Sequence, residues 1–163
     1  LKKLFSQNYS ISNNITKALS EINYQCIEIV ENANLIQNKW LQEYGDKNSS
    51  ENIIIQQIKY YKPDIIYIGN ASLADKFLIE NIKKNTKVKK IFCFNCAPLT
   101  NNIIKNLKNV DGVITCTQGY KEQILNRVNN NVLLMRHCFN SKVKTKTENN
   151  SREIDITFIG SIF

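Results

Sequence analysis

Glycine and proline are scarce in this chain of 163 residues, which contains five Gly and two Pro. A collagen-like repeat or a low-complexity disordered chain would be much richer in both residues. Hydrophobic residues make up 42% of the sequence, which is enough apolar surface for a core of ordinary domain size. The composition therefore indicates a globular protein built around one main core.

Long apolar runs are also missing. The longest, such as Ile65–Ile68 and Val132–Met135, are far shorter than the roughly 18 residues that a membrane-spanning helix needs. Lys2 and Lys3 are not followed by the apolar stretch of a secretory signal. Five cysteines, an odd number without framework spacing, favour a reducing compartment over a disulfide scaffold. We expect a cytoplasmic protein.

Acidic residues are sparse in the second half of the chain. Residues 1–80 hold 8 basic and 9 acidic side chains, whereas residues 81–163 hold 14 and 5. Such a surface is either a solvated lysine-rich face or one that attracts an anionic membrane or a phosphorylated ligand. Nucleic acid is not expected as a partner, because only three arginines occur and no aromatic and basic residues interleave as in a binding module.

Apolar residues alternate between short runs and a spacing of three and four, which is typical of strands alternating with helices. The pattern predicts strands near residues 25–30, 64–69, 90–95, 112–116 and 132–136, and helices near 15–22, 35–44, 51–61, 74–82, 100–108 and 118–128. This order predicts an α/β fold with a doubly wound, mostly parallel, Rossmann-like sheet flanked by helices.

Four segments in a fixed order resemble a known family: Lys62–Ile68, Asp111–Cys116, Val132–Asn140 and Asp155–Ser161. Together they resemble the amino-terminal half of glycosyltransferases with two Rossmann-like domains, the GT-B class. The nearest likeness is to bacterial spore-maturation-type and surface-polysaccharide glycosyltransferases. The resemblance covers nearly the whole chain, and its most specific piece is Asp155–Ser161.

The resemblance implies three parts. Residues 1–141 would form the acceptor-side domain, 142–153 an interdomain linker, and 154–163 the first strand of a truncated donor-binding domain. It also implies an enzyme that moves a sugar from a nucleotide-sugar donor to a glycan, a lipid-linked saccharide or another surface acceptor. The fragment would be inactive alone and would hold no cofactor, since the donor binds mainly to the second domain. Contact with the inner face of the membrane is a further expectation.

Candidate site residues lie where the strands end, because ligands of such folds bind beyond the carboxyl ends of the strands. Amide and hydroxyl groups there suit sugar hydroxyls. The predicted acceptor-binding residues are Asn8, Tyr9, Asn70, Ser72, Asn95, Cys96 and Thr117. Helix capping explains Ser72, and also Thr100, equally well.

His137 is the only histidine, so a mechanism with an imidazole base must use it; a structural hydrogen bond is the alternative. Gly160 and Ser161 are the predicted donor-binding residues, with an ordinary strand-end turn as the alternative. Cys93 and Cys96 have the C-x-x-C spacing, but no second pair completes a zinc site. We predict no metal.

Asp64 and Asp111 each open a predicted strand and therefore face away from the ligand edge, so neither is a candidate catalytic carboxylate. The competing hypothesis is a non-catalytic regulatory or binding module of flavodoxin-like or receiver-like fold. A receiver needs an aspartate at a strand end, and the sequence has Asn70 and Asn95 near those positions.

Overall fold

The computed structural model describes residues 14–128 and 131–136, which fall into two compact units. Described residues 14–26 belong to one unit, and those from Ile27 onward belong to the other. The first unit contributes helix α1 (Asn14–Glu21), which has no buried residue. The second unit contains the sheet and the core.

The second unit alternates helices and strands. Its helices are α2 (Asn34–Tyr44), α3 (Ile53–Tyr61), α4 (Lys76–Asn85), α5 (Asn101–Leu107) and α6 (Gln118–Arg127), with a 3-10 turn at Ala71–Leu73. Its strands are β1 (Ile65–Ile68), β2 (Lys90–Phe94), β3 (Gly112–Thr115) and β4 (Val132–Leu134). All pairings are parallel, in the order β1-β2-β3-β4. The predicted α/β class with a parallel, Rossmann-like sheet is confirmed.

Each described strand lies beside the next strand in sequence. Parallel connections are right-handed, and right-handed connections that all step in one direction put their helices on the same face of the sheet. Helices α4, α5 and α6 make those three connections. A doubly wound sheet requires a reversal of strand order, which the four described strands do not contain. That part of the expected architecture stays a prediction.

The two faces of the sheet are buried unequally. Ile68, Ile91, Cys93, Val113 and Val132 alternate with their strand neighbours and are at most 9% exposed. The residues between them face the other way and are less buried: Phe92, Phe94 and Ile114 are half-buried, and Ile65 and Leu133 are exposed. The core of the second unit therefore lies on one side of the sheet.

The strand predicted at residues 25–30 is wrong. The segment is not part of the described sheet, and Ile27 and Ile29 are 58% and 37% exposed. Alternating apolar residues fit a strand only where a neighbouring strand accepts their backbone groups. Within the described residues, β1 pairs with β2 and ends the sheet on that side.

The helix predicted near residues 74–82 is α4, and it begins later than predicted, at Lys76. Phe77 is 78% exposed, and the buried residues of the helix are Ile79 and Ile82. The reason is the starting point: Asp75 is the N-cap, and its side chain accepts a hydrogen bond from the N–H of Leu78 at 2.9 Å. Because the 3-10 turn precedes this cap, the helical stripe is shifted along the sequence.

Replacing Asp75 with alanine is expected to lower the free energy of unfolding by about 1 kcal/mol, because the helix loses its N-cap. The matched control is Ser72→Ala, since Ser72 is exposed and is not the cap. That change should stay within about 0.5 kcal/mol. Urea denaturation of both variants measures the difference, and equal effects would contradict this assignment of the cap.

Candidate functional site

The carboxyl ends of the parallel strands meet at one edge of the sheet, here called the carboxyl edge. It comprises the residues that follow β1, β2 and β3. Five predicted acceptor-binding residues lie in these three turns: Asn70, Ser72, Asn95, Cys96 and Thr117. The structure therefore brings residues from distant parts of the sequence to one edge.

The turn after β1 is organised by Asn70. Its side-chain oxygen accepts a hydrogen bond from the N–H of Ser72 at 2.9 Å and caps the 3-10 turn. The side-chain amide of Asn106, from α5, donates to the carbonyl of Ala71 at 3.0 Å. Ser72 is exposed. Of the two predicted residues in this turn, Asn70 has a capping role and Ser72 presents its side chain at the surface.

The turn after β2 holds a buried amide. Asn95 is 4% exposed, and its side-chain N–H donates to the carbonyl of Ala97 at 2.9 Å. Its backbone N–H donates to the carbonyl of Ile114 at 2.9 Å, which extends the β2–β3 ladder. These bonds fix the path of the chain where it leaves the sheet. Asn95 shapes the turn, so its amide is not exposed as the sequence led us to expect.

Thr115 is a buried residue that the sequence analysis missed. It ends β3 with no exposed surface, and its hydroxyl has no hydrogen-bond partner. A buried polar atom without a partner is unusual, because its desolvation is uncompensated. Thr115 follows Ile114, which pairs with Phe94, so it lies opposite Asn95. No spacing in the sequence marks this residue, because the strand pattern treats it as one more core position.

Thr117 is the N-cap of α6. Its hydroxyl accepts a hydrogen bond from the N–H of Tyr120 at 3.2 Å. Thr100 has the same role for α5, where its hydroxyl accepts from the N–H of Ile103 at 3.3 Å. Capping is therefore the observed role of both hydroxyls. A ligand role for Thr117 stays a prediction.

Cys96 and Cys116 are joined by a disulfide, with their Cα atoms 5.7 Å apart. The expectation of unpaired cysteines is corrected for these two residues. Cys93, which has the C-x-x-C spacing with Cys96, is not its partner and is buried on the core face of β2. Only the register of two strands brings Cys116 beside Cys96, and register is not visible in sequence spacing.

The remaining predicted site residues lie outside the described residues. They are Asn8 and Tyr9 on the acceptor side, His137 as the candidate base, and Gly160 and Ser161 on the donor side. Their roles stay predictions. Within the described residues, no group of three or more His, Cys, Asp or Glu side chains is arranged to hold a metal ion.

The opposite edge, where the strands begin, carries the two rejected carboxylates. Asp64 forms an ion pair with Lys89 at 2.7 Å, and this carboxylate raises the pKa of Lys89. Asp111 accepts a hydrogen bond from the N–H of Ile91 at 2.8 Å. Both aspartates lie at the beginnings of strands, as the sequence predicted, and each contacts the beginning of β2.

Exposed lysines also gather toward the edge where the strands begin. They lie in the last turns of α4 and α5, follow these helices, or open β2: Lys83, Lys84, Lys87, Lys89, Lys90, Lys105 and Lys108. Cations at helix C-termini interact favourably with the helix dipole. We call this group the lysine edge. It lies at the other end of the strands from the carboxyl edge.

Two open depressions lie away from the carboxyl edge. The larger, about 650 Å³, is lined by Ser49, Ser50, Glu51, Asn52, Lys59, Phe77, Asn81 and Asn85. The smaller, about 240 Å³, lies beside an aromatic cluster in which the rings of Tyr44 and Tyr60 are 5.4 Å apart. Neither contains a predicted site residue, so surface shape does not select the carboxyl edge.

Two buried side chains that lose a proton only at high pH make the free energy of unfolding depend on pH in the alkaline range. Burial raises the pKa of Cys93 and of Tyr67 to about 12 each, from 9.0 and 10.0. The unfolded chain therefore loses these protons first as pH rises. Their contribution to stability is complete below pH 9 and is lost as pH rises toward 12.

The urea midpoint is therefore expected to fall between pH 9 and pH 12. A Cys93→Ala variant, less stable at pH 8, should lose less stability over this interval than the parent chain. Measuring the midpoint at several pH values tests this sign. A midpoint in the parent chain that rises with pH would contradict it.

No family model matches the chain, and no curated protein or solved structure matches it either. No helix in the described part of the chain is long and apolar enough to cross a bilayer. The fold defines the class coarsely, as an α/β protein with a parallel Rossmann-like sheet. Any narrower function is therefore a proposal built on the carboxyl edge and on the resemblance of the sequence.

Proposed function

We propose that this chain is the acceptor-binding part of a nucleotide-sugar-dependent glycosyltransferase of the GT-B class. The observation that carries the proposal is the composition of the carboxyl edge. Amide and hydroxyl residues follow three adjacent parallel strands there, and both strand-opening aspartates lie at the other edge. Neutral hydrogen-bonding groups suit a sugar acceptor, and this edge is where ligands of open α/β sheets bind.

In this proposal each of two domains binds one of the two substrates. The carboxyl edge would position an acceptor hydroxyl, with Ser72 offering an exposed hydroxyl and Asn70, Asn95 and Thr117 shaping the turns. A second domain, opening near Gly160 and Ser161, would hold the nucleotide sugar. Backbone N–H groups there would stabilise the charge that develops on the departing diphosphate.

If the transfer inverts the configuration at the anomeric carbon of the sugar, a base must accept the proton of the acceptor hydroxyl. His137 is the proposed base, because it lies three residues beyond β4 in the sequence and is the only imidazole in the chain. The residues at the strand ends do not support the competing hypothesis of a regulatory module. Asn70 and Asn95 stand in turns where a receiver-like domain would need an aspartate.

Membrane contact is proposed for the lysine edge alone. Each lysine near an anionic membrane surface contributes about 1 kcal/mol of attraction, so several together can hold a protein at the membrane. Because the lysine edge and the carboxyl edge are at opposite ends of the strands, the lysines are not proposed to bind the acceptor. The position of the protein at the inner face of the membrane would follow from this contact.

The first experiment is a thermal-shift titration with neutral disaccharides and with UDP-, GDP-, dTDP- and CMP-sugars. It compares residues 1–163 with the native-length gene product. Ligand at a hundred times its Kd stabilises a protein by about 2.7 kcal/mol, which such a titration detects. We expect disaccharides to stabilise both proteins, nucleotide sugars to stabilise only the native-length protein, and residues 1–163 to transfer no sugar.

The matched variants are Ser72→Ala and Asn81→Ala. Ser72 is exposed at the carboxyl edge, whereas Asn81 lines the larger depression. Loss of one hydrogen bond to an acceptor should weaken disaccharide binding by Ser72→Ala about fivefold to tenfold. Weakening by Asn81→Ala alone would move the acceptor to the depression. Sugar transfer by residues 1–163, or no response of the native-length protein to any nucleotide sugar, would overturn the proposal.

A further inference from the structure

Cys96 and Cys116 occupy equivalent positions on neighbouring strand ends. Phe94 pairs with Ile114 in the parallel ladder, and each cysteine lies two residues further along. Side chains two residues apart on a strand point to the same face, so the two cysteines meet on one side of the sheet. The disulfide and the Cα separation of 5.7 Å agree with this register.

The two cysteines differ in solvent exposure. Cys96 is half-buried, whereas Cys116 is 6% exposed. Cys116 directly precedes Thr117, the N-cap of α6, and N–H groups in the first turn of a helix favour a nearby negative charge. Cys93 is buried and burial raises its pKa to about 12, so its thiol is unsuited to exchange.

The sequence predicts a reducing compartment, and disulfides in such compartments are mostly transient and serve redox sensing. The chain has five cysteines, and in the described residues one pair lies within bonding distance. We propose that Cys96 and Cys116 form a reversible thiol–disulfide modification site whose co-substrate is a low-molecular-weight disulfide such as oxidised glutathione. This inference goes beyond the proposed function and does not depend on it.

The reaction balances as two exchange steps. The Cys96 thiolate attacks one sulfur of oxidised glutathione, which breaks that disulfide and releases one glutathione thiolate. Cys116, having lost its proton to solvent, then attacks Cys96 in the mixed disulfide and releases the second glutathione thiolate. The protein loses two electrons and two protons, and one oxidised glutathione becomes two reduced molecules. Cys96 attacks first because it is the more accessible sulfur.

Oxidation ties two turns of the carboxyl edge together. The bond links the turn after β2, which Asn95 shapes, to the residue before the N-cap of α6. In the oxidised chain the sulfur of Cys96 is bonded to Cys116, so its predicted contact with an acceptor belongs to the reduced chain. The redox state thus changes what the carboxyl edge presents.

The test uses the 163-residue chain, reduced and then exposed to oxidised glutathione. After quenching with N-ethylmaleimide, trypsin gives one peptide of residues 91–105 and another of 109–121, and mass spectrometry detects their cross-link. A double variant, Cys26→Ser with Cys138→Ser, is the control, because it keeps Cys93, Cys96 and Cys116. We expect Cys96 to be cross-linked to Cys116 in both proteins and the link to disappear with dithiothreitol.

Two single variants test the order of attack. Cys116→Ser should stop at a glutathione adduct on Cys96. Cys96→Ser should carry about tenfold less adduct on Cys116, because that sulfur is buried. The proposal is overturned if glutathione modifies Cys26 and Cys96 equally without a cross-link, if Cys93 is the partner of Cys96, or if Cys116 carries the larger adduct. Circular dichroism of each variant separates loss of exchange from loss of fold.

Discussion

Replacing Ile91 with alanine is expected to lower the free energy of unfolding by about 3 to 4 kcal/mol. Ile91 is 1% exposed at the second position of β2, a central strand that pairs with both β1 and β3. The change removes buried methyl and methylene groups and leaves a cavity that a paired central strand cannot close by moving. Urea denaturation monitored by circular dichroism measures the loss.

The matched control is Ile65→Ala. Ile65 is the same residue type in the same sheet, but it is 56% exposed at the beginning of β1. Its loss should cost less than about 1 kcal/mol, mainly through β-propensity. If Ile91→Ala does not fold, Ile91→Val should still fold and cost about 1 kcal/mol. Equal losses of unfolding free energy at both positions would contradict the placement of the core on the face of the sheet that carries Ile91.

Reducing the bond between Cys96 and Cys116 is expected to lower the free energy of unfolding by about 3 kcal/mol. The bond closes a loop with a sequence separation of 20 residues, and a loop of this length restricts the unfolded chain by roughly that amount. The measurement is urea denaturation of the oxidised chain with and without dithiothreitol. The oxidised chain should have the higher midpoint.

The control for this second effect is the double variant Cys96→Ser with Cys116→Ser. Its midpoint should not change when dithiothreitol is added, and it should lie near that of the reduced parent chain. A parent chain whose midpoint is the same in both conditions would show that the bond does not constrain unfolding. A variant that still responds would place the sensitive bond elsewhere.

Most of the secondary structure could be predicted from local pattern. The apolar runs at Ile65–Ile68 and Ile91–Phe94 are strands with one buried face, and the three-and-four spacing located α3 and α6 to within two residues. These elements could be predicted because the apolar pattern that specifies each of them lies within one segment of the sequence. Residues 25–30 have the same kind of pattern and form no described ladder, because pairing depends on a neighbour that the segment itself does not specify.

The candidate site was predictable only in part. Strand ends were correctly expected to bring Asn70, Asn95 and Thr117 to one edge, since this follows from parallel strands. Sequence could not give the roles of these side chains, because capping and ligand binding use the same amides and hydroxyls. The Cys96–Cys116 pair and the buried hydroxyl of Thr115 depend on register across β2 and β3, which is a tertiary property.

The order β1-β2-β3-β4 has a consequence for how the chain folds. Each strand pairs with the strand that follows it in sequence, so no described ladder spans an intervening strand. Low sequence separation between contacting residues favours rapid folding, because little loop entropy is lost before contacts form. Each strand, helix and next strand can therefore serve as a folding unit onto which the following one adds. The sheet should assemble progressively along the chain, faster than a parallel sheet with a crossed strand order.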